Sequence, residues 1–244
     1  MKNVIVILGP TGVGKSKTAI EVAKLLNGEI ISADSMQIYK GLDIGTAKIT
    51  PTQTEGVVHH MIDIKNFDQT YNVWQFVNDC KQILDDIISK GKLPIIVGGT
   101  NLYISALTQN YDFGKEEMPK DAYLAKNDYN FQLFALNLPR EELYDRLNKR
   151  VDIMINAGLE NEVLNLKNQG LNISMQAGKS IGYKEFLEYF EGLYSKDFAI
   201  DKIKQHNRNF AKRQLTWLRS MKDLIWLDAS KLEENIQIIV KAVE

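Results

Sequence analysis

The chain has 244 residues, 30 Lys plus Arg against 31 Asp plus Glu, 44% hydrophobic and 25% charged residues, 5 Pro and 16 Gly, which excludes collagen-like, low-complexity and wholly disordered polymers. That is enough chain for one large domain with a real core, and its longest apolar runs fall far short of the roughly 20 residues that span a bilayer. The formal net charge of -1 gives no global attraction to nucleic acid, so any RNA binding must come from a local basic face.

One Lys and five apolar residues, Val4 to Leu8, run straight into a glycine loop. This is a first strand, without the longer apolar stretch and cleavage site of a signal peptide, and a cytoplasmic protein with no membrane partner is expected. A helix with Ala19, Val22, Ala23 and Leu26 on one face follows and ends near Asn27-Gly28. Glu29 to Ala33 is a second strand, ending at Asp34. After a polar loop, His59 to Ile64 is predicted as a short strand. Helical spacing between Asn72 and Lys90 (Val73, Phe76, Val77, Cys80, Leu84, Ile87, Ile88) stops at Gly91. Leu93 to Val97 is a strand closed by Gly98-Gly99-Thr100. Periodicity is weak from Asn110 to Asn130, which reads as a surface connection. Phe131 to Leu138 is a strand, and Pro139-Arg140 opens a helix to about Ala157. The rest is mostly helical, with one more apolar run at Leu224 to Leu227. The alternation of strands and helices predicts an α/β fold: a parallel sheet flanked by helices, with a mostly helical C-terminal part, as a single domain over 1–244. Cys80 has no disulfide partner and is read as core, as are Met36, Trp74 and Trp217, although one aromatic near a bound base remains open.

Gly9-Pro10-Thr11-Gly12-Val13-Gly14-Lys15-Ser16 fits G-x-x-x-x-G-K-[ST] between a strand and a helix, the context a P-loop requires. Backbone N–H groups there cradle a phosphate at a helix N-terminus, Lys15 supplies a point charge and Ser16 a hydroxyl for Mg²⁺. The spacing specifies a polyphosphate and leaves its carrier open. Asp34, at the carboxyl end of the second strand, belongs beside that loop, where a carboxylate can act as general base, hold Mg²⁺ through water, or serve only as a turn residue. Adjacent His59 and His60 point to opposite faces of a strand and are read as structural. Lys202 to Lys222 carries seven basic and no acidic residues, and Lys204, Arg208 and Lys212 recur every fourth residue as a stripe suited to RNA phosphates.

Asp34-Ser35-Met36-Gln37-Ile38-Tyr39-Lys40-Gly41-Leu42-Asp43-Ile44-Gly45-Thr46-Ala47-Lys48, then His59 to Ile64, Pro94 to Tyr103, Leu138 to Tyr144 with Arg146 and Arg150-Val151-Asp152, Ile181 to Glu185 and Ala211 to Trp217 together resemble the tRNA dimethylallyltransferase (isopentenyltransferase) family. The resemblance implies that Gly9 to Ser16 hold the diphosphate of dimethylallyl diphosphate and that Asp34 is the general base for the N6 amine of the adenine 3′ of the anticodon. It further implies that Arg150, Thr100, Thr11, Lys15 and Mg²⁺ at Ser16 serve the leaving diphosphate. Arg146 shares the helical face of Arg150 and is expected to approach as well. Ser35, Met36 and Gln37, with Asp34 and Thr100, match the base-contacting segment, and the stripe at Lys204, Arg208 and Lys212 would grip the anticodon stem-loop. No obligate protein partner is evident.

The sequence departs from the family at 105–130, a shortened connection where members carry a helical insertion, and in having no C-terminal zinc module. Gly178-Lys179-Ser180 also looks longer than the usual segment. The missing insertion keeps an adenylate isopentenyltransferase acting on free nucleotide open as an alternative, beside a P-loop small-molecule kinase and an RNA-binding relic.

Overall fold

The computed structural model describes residues 2–109, 111 and 128–243. Strands β1 (Lys2–Leu8), β2 (Gly28–Ala33), β3 (His59–His60), β4 (Leu93–Gly98), β5 (Tyr129–Asn137) and β6 (Leu224–Asp228) form one sheet in the order β3-β2-β4-β1-β5-β6. Every pairing in it is parallel. Helices α1 (Lys15–Leu25), α2 (Val73–Ser89), α3 (Asn101–Thr108), α4 (Arg140–Asn156), α5 (Leu159–Asn168), α6 (Tyr183–Phe190), α7 (Lys196–Leu218) and α8 (Leu232–Lys241) supply the rest.

Buried parallel strands read as unbroken apolar runs because both faces are covered. In β1 the alternation is resolved by face: Val4, Val6 and Leu8 pack with Phe76, Val77, Cys80 and Leu84 of α2, while Ile5 and Ile7 pack with Ala19, Val22 and Ala23 of α1. Cys80 is buried as expected, and burial pushes its thiol up. Helix α4 starts at Arg140 behind Pro139, as the Pro-Arg pair predicts.

Several boundaries differ from the sequence reading. The predicted strand His59 to Ile64 stops after His60, because Met61 and Asp63 take left-handed backbone (φ 63° and 54°) that no ladder accommodates. Asn27, at φ 50°, makes the turn after α1, and Gly28 is already the first residue of β2. Of the 105–130 connection, residues 105–108 lie in α3 and 129–130 in β5; Asn110 and 112–127 lie outside the described residues. Trp74 is 51% exposed, so it is no core residue, whereas Trp217 is half-buried and donates to Ser105 Oγ at 3.2 Å.

Asn72 caps α2 through a reciprocal box: its side chain accepts from the Gln75 N–H at 2.9 Å and the Gln75 side chain accepts from the Asn72 N–H at 2.9 Å. Replacing Asn72 by Ala should cost about 1 kcal/mol, read as a lowered urea midpoint with an unchanged slope. An unchanged midpoint would show that the cap contributes nothing.

Candidate functional site

The loops after β1, β2 and β4 meet at the carboxyl end of the sheet, where ligands bind in open α/β folds. Two cavities open there. The first, about 340 Å³, is lined by Thr11, Gly12, Gly14, Lys15 and Ser16 of the glycine loop, with Gln37 and Ser32 on the far side. The second, about 270 Å³, is lined by Ser35, Met36, Thr100, Lys179, Phe210 and Arg213 among others. Thr11, Asp34, Thr46 and Arg150 line both. A group held at this boundary is within reach of a ligand in either cavity.

The glycine loop holds Lys15 poised. Its Nζ donates to the carbonyls of Gly9 and Pro10 at 3.0 and 2.9 Å. Burial lowers the ammonium from its ordinary 10.5 to about 8; Asp34 opposes the shift and Arg150 adds to it. The Arg150 guanidinium is lowered too, again by burial with Asp34 opposing, and its Nη1 donates to Thr11 Oγ1 at 3.2 Å. Two desolvated cations beside one carboxylate leave positive charge uncompensated, which is the electrostatic condition for holding an anion. Val13 is 1% exposed and packs into the core, and Ser16 is exposed at the first turn of α1.

Asp34 is oriented by its own backbone surroundings. Its Oδ1 accepts from the Met36 N–H at 2.8 Å and the Gln37 N–H at 3.3 Å. The turn role and the site role therefore coexist in one side chain. Thr100 Oγ1 accepts from the Ser35 N–H at 3.1 Å, and Thr100 lines the second cavity alone. Gln37 lines the first, with its amide engaged on both sides: Oε1 accepts from Ser32 Oγ and Nε2 donates to the Thr46 carbonyl, each at 3.3 Å.

The Asp34 to Lys48 segment is fixed from outside. Glu162 of α5 accepts from the N–H groups of Ile44 and Gly45 at 2.8 and 3.2 Å, and Lys48, 5% exposed at its side chain, binds Asp43, Asp63 and the Tyr39 carbonyl.

The basic residues divide. Arg146 pairs with Glu142 at 2.7 Å on the surface and lines neither cavity, so of these two arginines Arg150 alone lines the site. Lys204 binds Asp152 at 2.6 Å and Arg208 donates to Asn148 at 2.6 Å, tying α7 to α4. Lys212 stays exposed. Of the expected stripe, then, two members are occupied within the fold. The histidines point apart as expected, His60 to Glu29 at 2.7 Å and His59 to the Val57 carbonyl at 2.9 Å. Among the described residues no cluster of three or more His, Cys, Asp or Glu could hold a metal by itself.

Sequence reasoning did not assign Lys179, Phe210, Arg213 or Gln214 to the site. Lys179 ends a short 3-10 turn, Ala177–Lys179, in which Gly178 passes so close to the Asn172 carbonyl that an added Cβ would lie 2.0 Å from its oxygen. This close approach is the structural role of Gly178 in a segment the sequence left without one. Gln214 was detectable: it shares the spacing of Ala211, Leu215 and Leu218 on the buried face of α7.

A family model described as IPP transferase matches residues 37–127 and 114–221. The chain is 41% identical to the tRNA dimethylallyltransferase of Exiguobacterium sp., over 93% of this chain and 91% of that protein. With the tRNA dimethylallyltransferase of Ligilactobacillus salivarius it shares 38% identity over 100% and 98% of the two chains. That alignment runs over 305 residues, so the relative carries residues without a counterpart in this chain of 244. Among solved structures, the tRNA isopentenylpyrophosphate transferase of Bacillus halodurans superposes with a TM-score of 0.91 at 34% identity, covering 99% of this chain and 96% of that one. A eukaryotic dimethylallyltransferase acting on tRNA gives 0.84 at 27% identity, covering 96% and 75%.

Because Lys15 titrates near pH 8 in the free protein, anion binding that requires its ammonium should weaken as pH rises through 8. Calorimetry with inorganic diphosphate should show this fall in the native protein and a smaller one in Lys15→Arg. Identical pH profiles for the two would remove Lys15 from the anion site.

Proposed function

The chain belongs to the IPP transferase family, and on that premise we propose that it is a tRNA dimethylallyltransferase, moving the dimethylallyl group of dimethylallyl diphosphate to N6 of the adenine 3′ of the anticodon, at position 37. The observation that carries this reading is the position of Asp34 and Arg150 on the boundary of a phosphate-loop cavity and a second cavity. The donor's diphosphate fits the first, on the N–H groups of the Gly9 to Ser16 loop with Lys15 and Arg150. The acceptor adenine fits the second, between the Ser35-Met36 segment, Thr100 and Phe210.

An exocyclic arylamine is a weak nucleophile because its lone pair is delocalised into the ring. Asp34 Oδ1 is taken by two backbone N–H groups, which leaves Oδ2 for the amine proton. As the N6–carbon bond forms, the allylic carbon–oxygen bond breaks, the electron pair leaves with diphosphate and the proton passes to Asp34. The negative charge gained by the leaving group lies against Lys15 and Arg150, whose stabilisation grows as that charge develops.

Magnesium fits this donor set. The Ser16 hydroxyl lines the phosphate-loop cavity and is a hard oxygen ligand, and a diphosphate with water would supply the remainder, the usual arrangement for an ion that sheds water reluctantly. Bound there, the ion would screen the charge of the leaving diphosphate.

Lys179 and Arg213 at the second cavity, with Arg150 between the two, favour an acceptor carrying phosphates. They also restore locally the positive field that the overall charge lacks.

Asp34→Asn retains shape and loses basicity, and should cut single-turnover transfer to tRNA by roughly 10²–10⁴-fold with donor and tRNA binding nearly unchanged. Parallel reactions with labelled dimethylallyl diphosphate, tRNA and AMP identify the acceptor. Labelled AMP with unlabelled tRNA would replace this reading by an adenylate prenyltransferase, and full transfer by the folded Asn variant would remove the base. Lys179→Gln should weaken binding of an anticodon stem-loop and reduce its slope of log K against log salt by about 0.7–0.9, the share of one phosphate contact. An unchanged slope would exclude Lys179 from the RNA interface.

A further inference from the structure

Gln214 is 3% exposed on a helix whose other face is charged. Its Oε1 accepts from the Thr11 N–H at 2.8 Å, and its Nε2 donates to the Gly99 carbonyl at 2.9 Å. One planar amide thus joins the loop after β1 to the turn after β4. The strands themselves are paired only from Ile5 with Ile95 to Ile7 with Val97. Beyond that point the side chain of Gln214 acts as an added rung between the two segments. The approach is close: a Cβ on Gly99 would lie 2.2 Å from Gln214 Nε2 and 3.3 Å from the Gly9 carbonyl oxygen.

Each end of this rung leads to a reacting partner. On the loop side, Thr11 Oγ1 accepts from Arg150, which faces the donor cavity. On the turn side, Gly99 precedes Thr100, whose Oγ1 accepts from the Ser35 N–H, next to Asp34. Resting on the proposed transferase reading, we infer that Gln214 is a positioning residue for the transfer step: it sets the spacing between the diphosphate loop and the base-bearing wall. Displacement at carbon needs nucleophile and leaving group aligned with reacting atoms about 3–3.5 Å apart, and a misplacement of about 1 Å can cost roughly 100-fold. The buried amide is suited to this task because it donates and accepts at once in a fixed plane, which neither a carboxylate nor a shorter amide reproduces.

Gln214→Glu keeps an acceptor for the Thr11 N–H and turns an anionic oxygen toward the Gly99 carbonyl; protonation of the carboxyl restores the donor. Burial raises the pKa of such a group, which brings its protonation toward the accessible range. Single-turnover transfer to tRNA at pH 8 should fall roughly 10–100-fold in Gln214→Glu, with the donor dissociation constant within about threefold of native. The variant-to-native rate ratio should climb as the pH is lowered to 6. Lys15, Arg150, Asp34, Lys179 and Arg213, charged groups lining the two cavities, are present in both proteins, so the ratio removes their common contribution to the rate. Gln214→Asn, too short to span the gap, should be slow at every pH. Native rates in both variants, once shown folded by thermal melts, would overturn the inference, as would a pH-independent loss in Gln214→Glu or a loss of donor affinity matching the loss of rate. If the native protein transfers no dimethylallyl group to tRNA or AMP, the transferase reading itself falls, and this inference with it.

Discussion

With β4 between β1 and β2, the chain ends that carry the glycine loop, Asp34 and the Gly98-Gly99-Thr100 turn leave the sheet as neighbours, and nothing in the site could be assembled otherwise. The register runs without slip to the last rung, where Ala33 lies opposite Gly98. A Cβ on Gly98 would lie 2.3 Å from the Ala33 carbonyl oxygen, so only glycine lets β4 approach β2 closely enough for the Thr100 N–H to reach that same carbonyl, at 3.4 Å. Asp34 is the next residue. Its position is thereby a property of the sheet, and the turn hydrogen bonds at Oδ1 add only orientation.

Electrostatics then gives this geometry its direction. Lys15 and Arg150 are both desolvated and both feel Asp34, and a single carboxylate does not balance them. Without an anion, Lys15 is held on the carbonyls of its own loop and its ammonium is depressed toward neutrality. An anion bound there would relieve that cost, so its affinity would be coupled to the protonation of Lys15. Surface charges behave differently: the Arg146 pair with Glu142 is solvent-screened, and pairs of that kind contribute little.

Those parts of the fold set by local patterning were legible from the residues. Apolar runs marked β1 and β4, the Pro139-Arg140 pair marked the start of α4, and the glycine loop and Asp34 followed from strand-end position. What escaped depended on partners distant in sequence. The basic stripe on α7 looked continuous because helical spacing cannot reveal that Asp152 and Asn148 of α4 stand opposite two of its members. The hydrogen bonds of the Gln37 amide with Ser32 and Thr46 are likewise a feature of the folded loop that spacing does not show. Trp74 shares its helix with the buried Val73, Phe76 and Val77 yet points to solvent, a failure of composition-based reading where periodicity alone would have sufficed.

The division of α7 bears on how the acceptor is held. A helix that spends Lys204 and Arg208 on α4 and Gln214 on the glycine loop is anchored along its length, so Lys212 and Arg213 are presented from a rigid base. The Ligilactobacillus salivarius relative, aligned over 305 residues, has chain without a counterpart here. In this chain Lys179 and Arg213 both line the second cavity, and Arg213 lies over the Phe210 ring at 5.7 Å. Charge next to an aromatic face suits a nucleotide whose base is taken out of its stack, with the phosphates on either side held at the rim while the base enters.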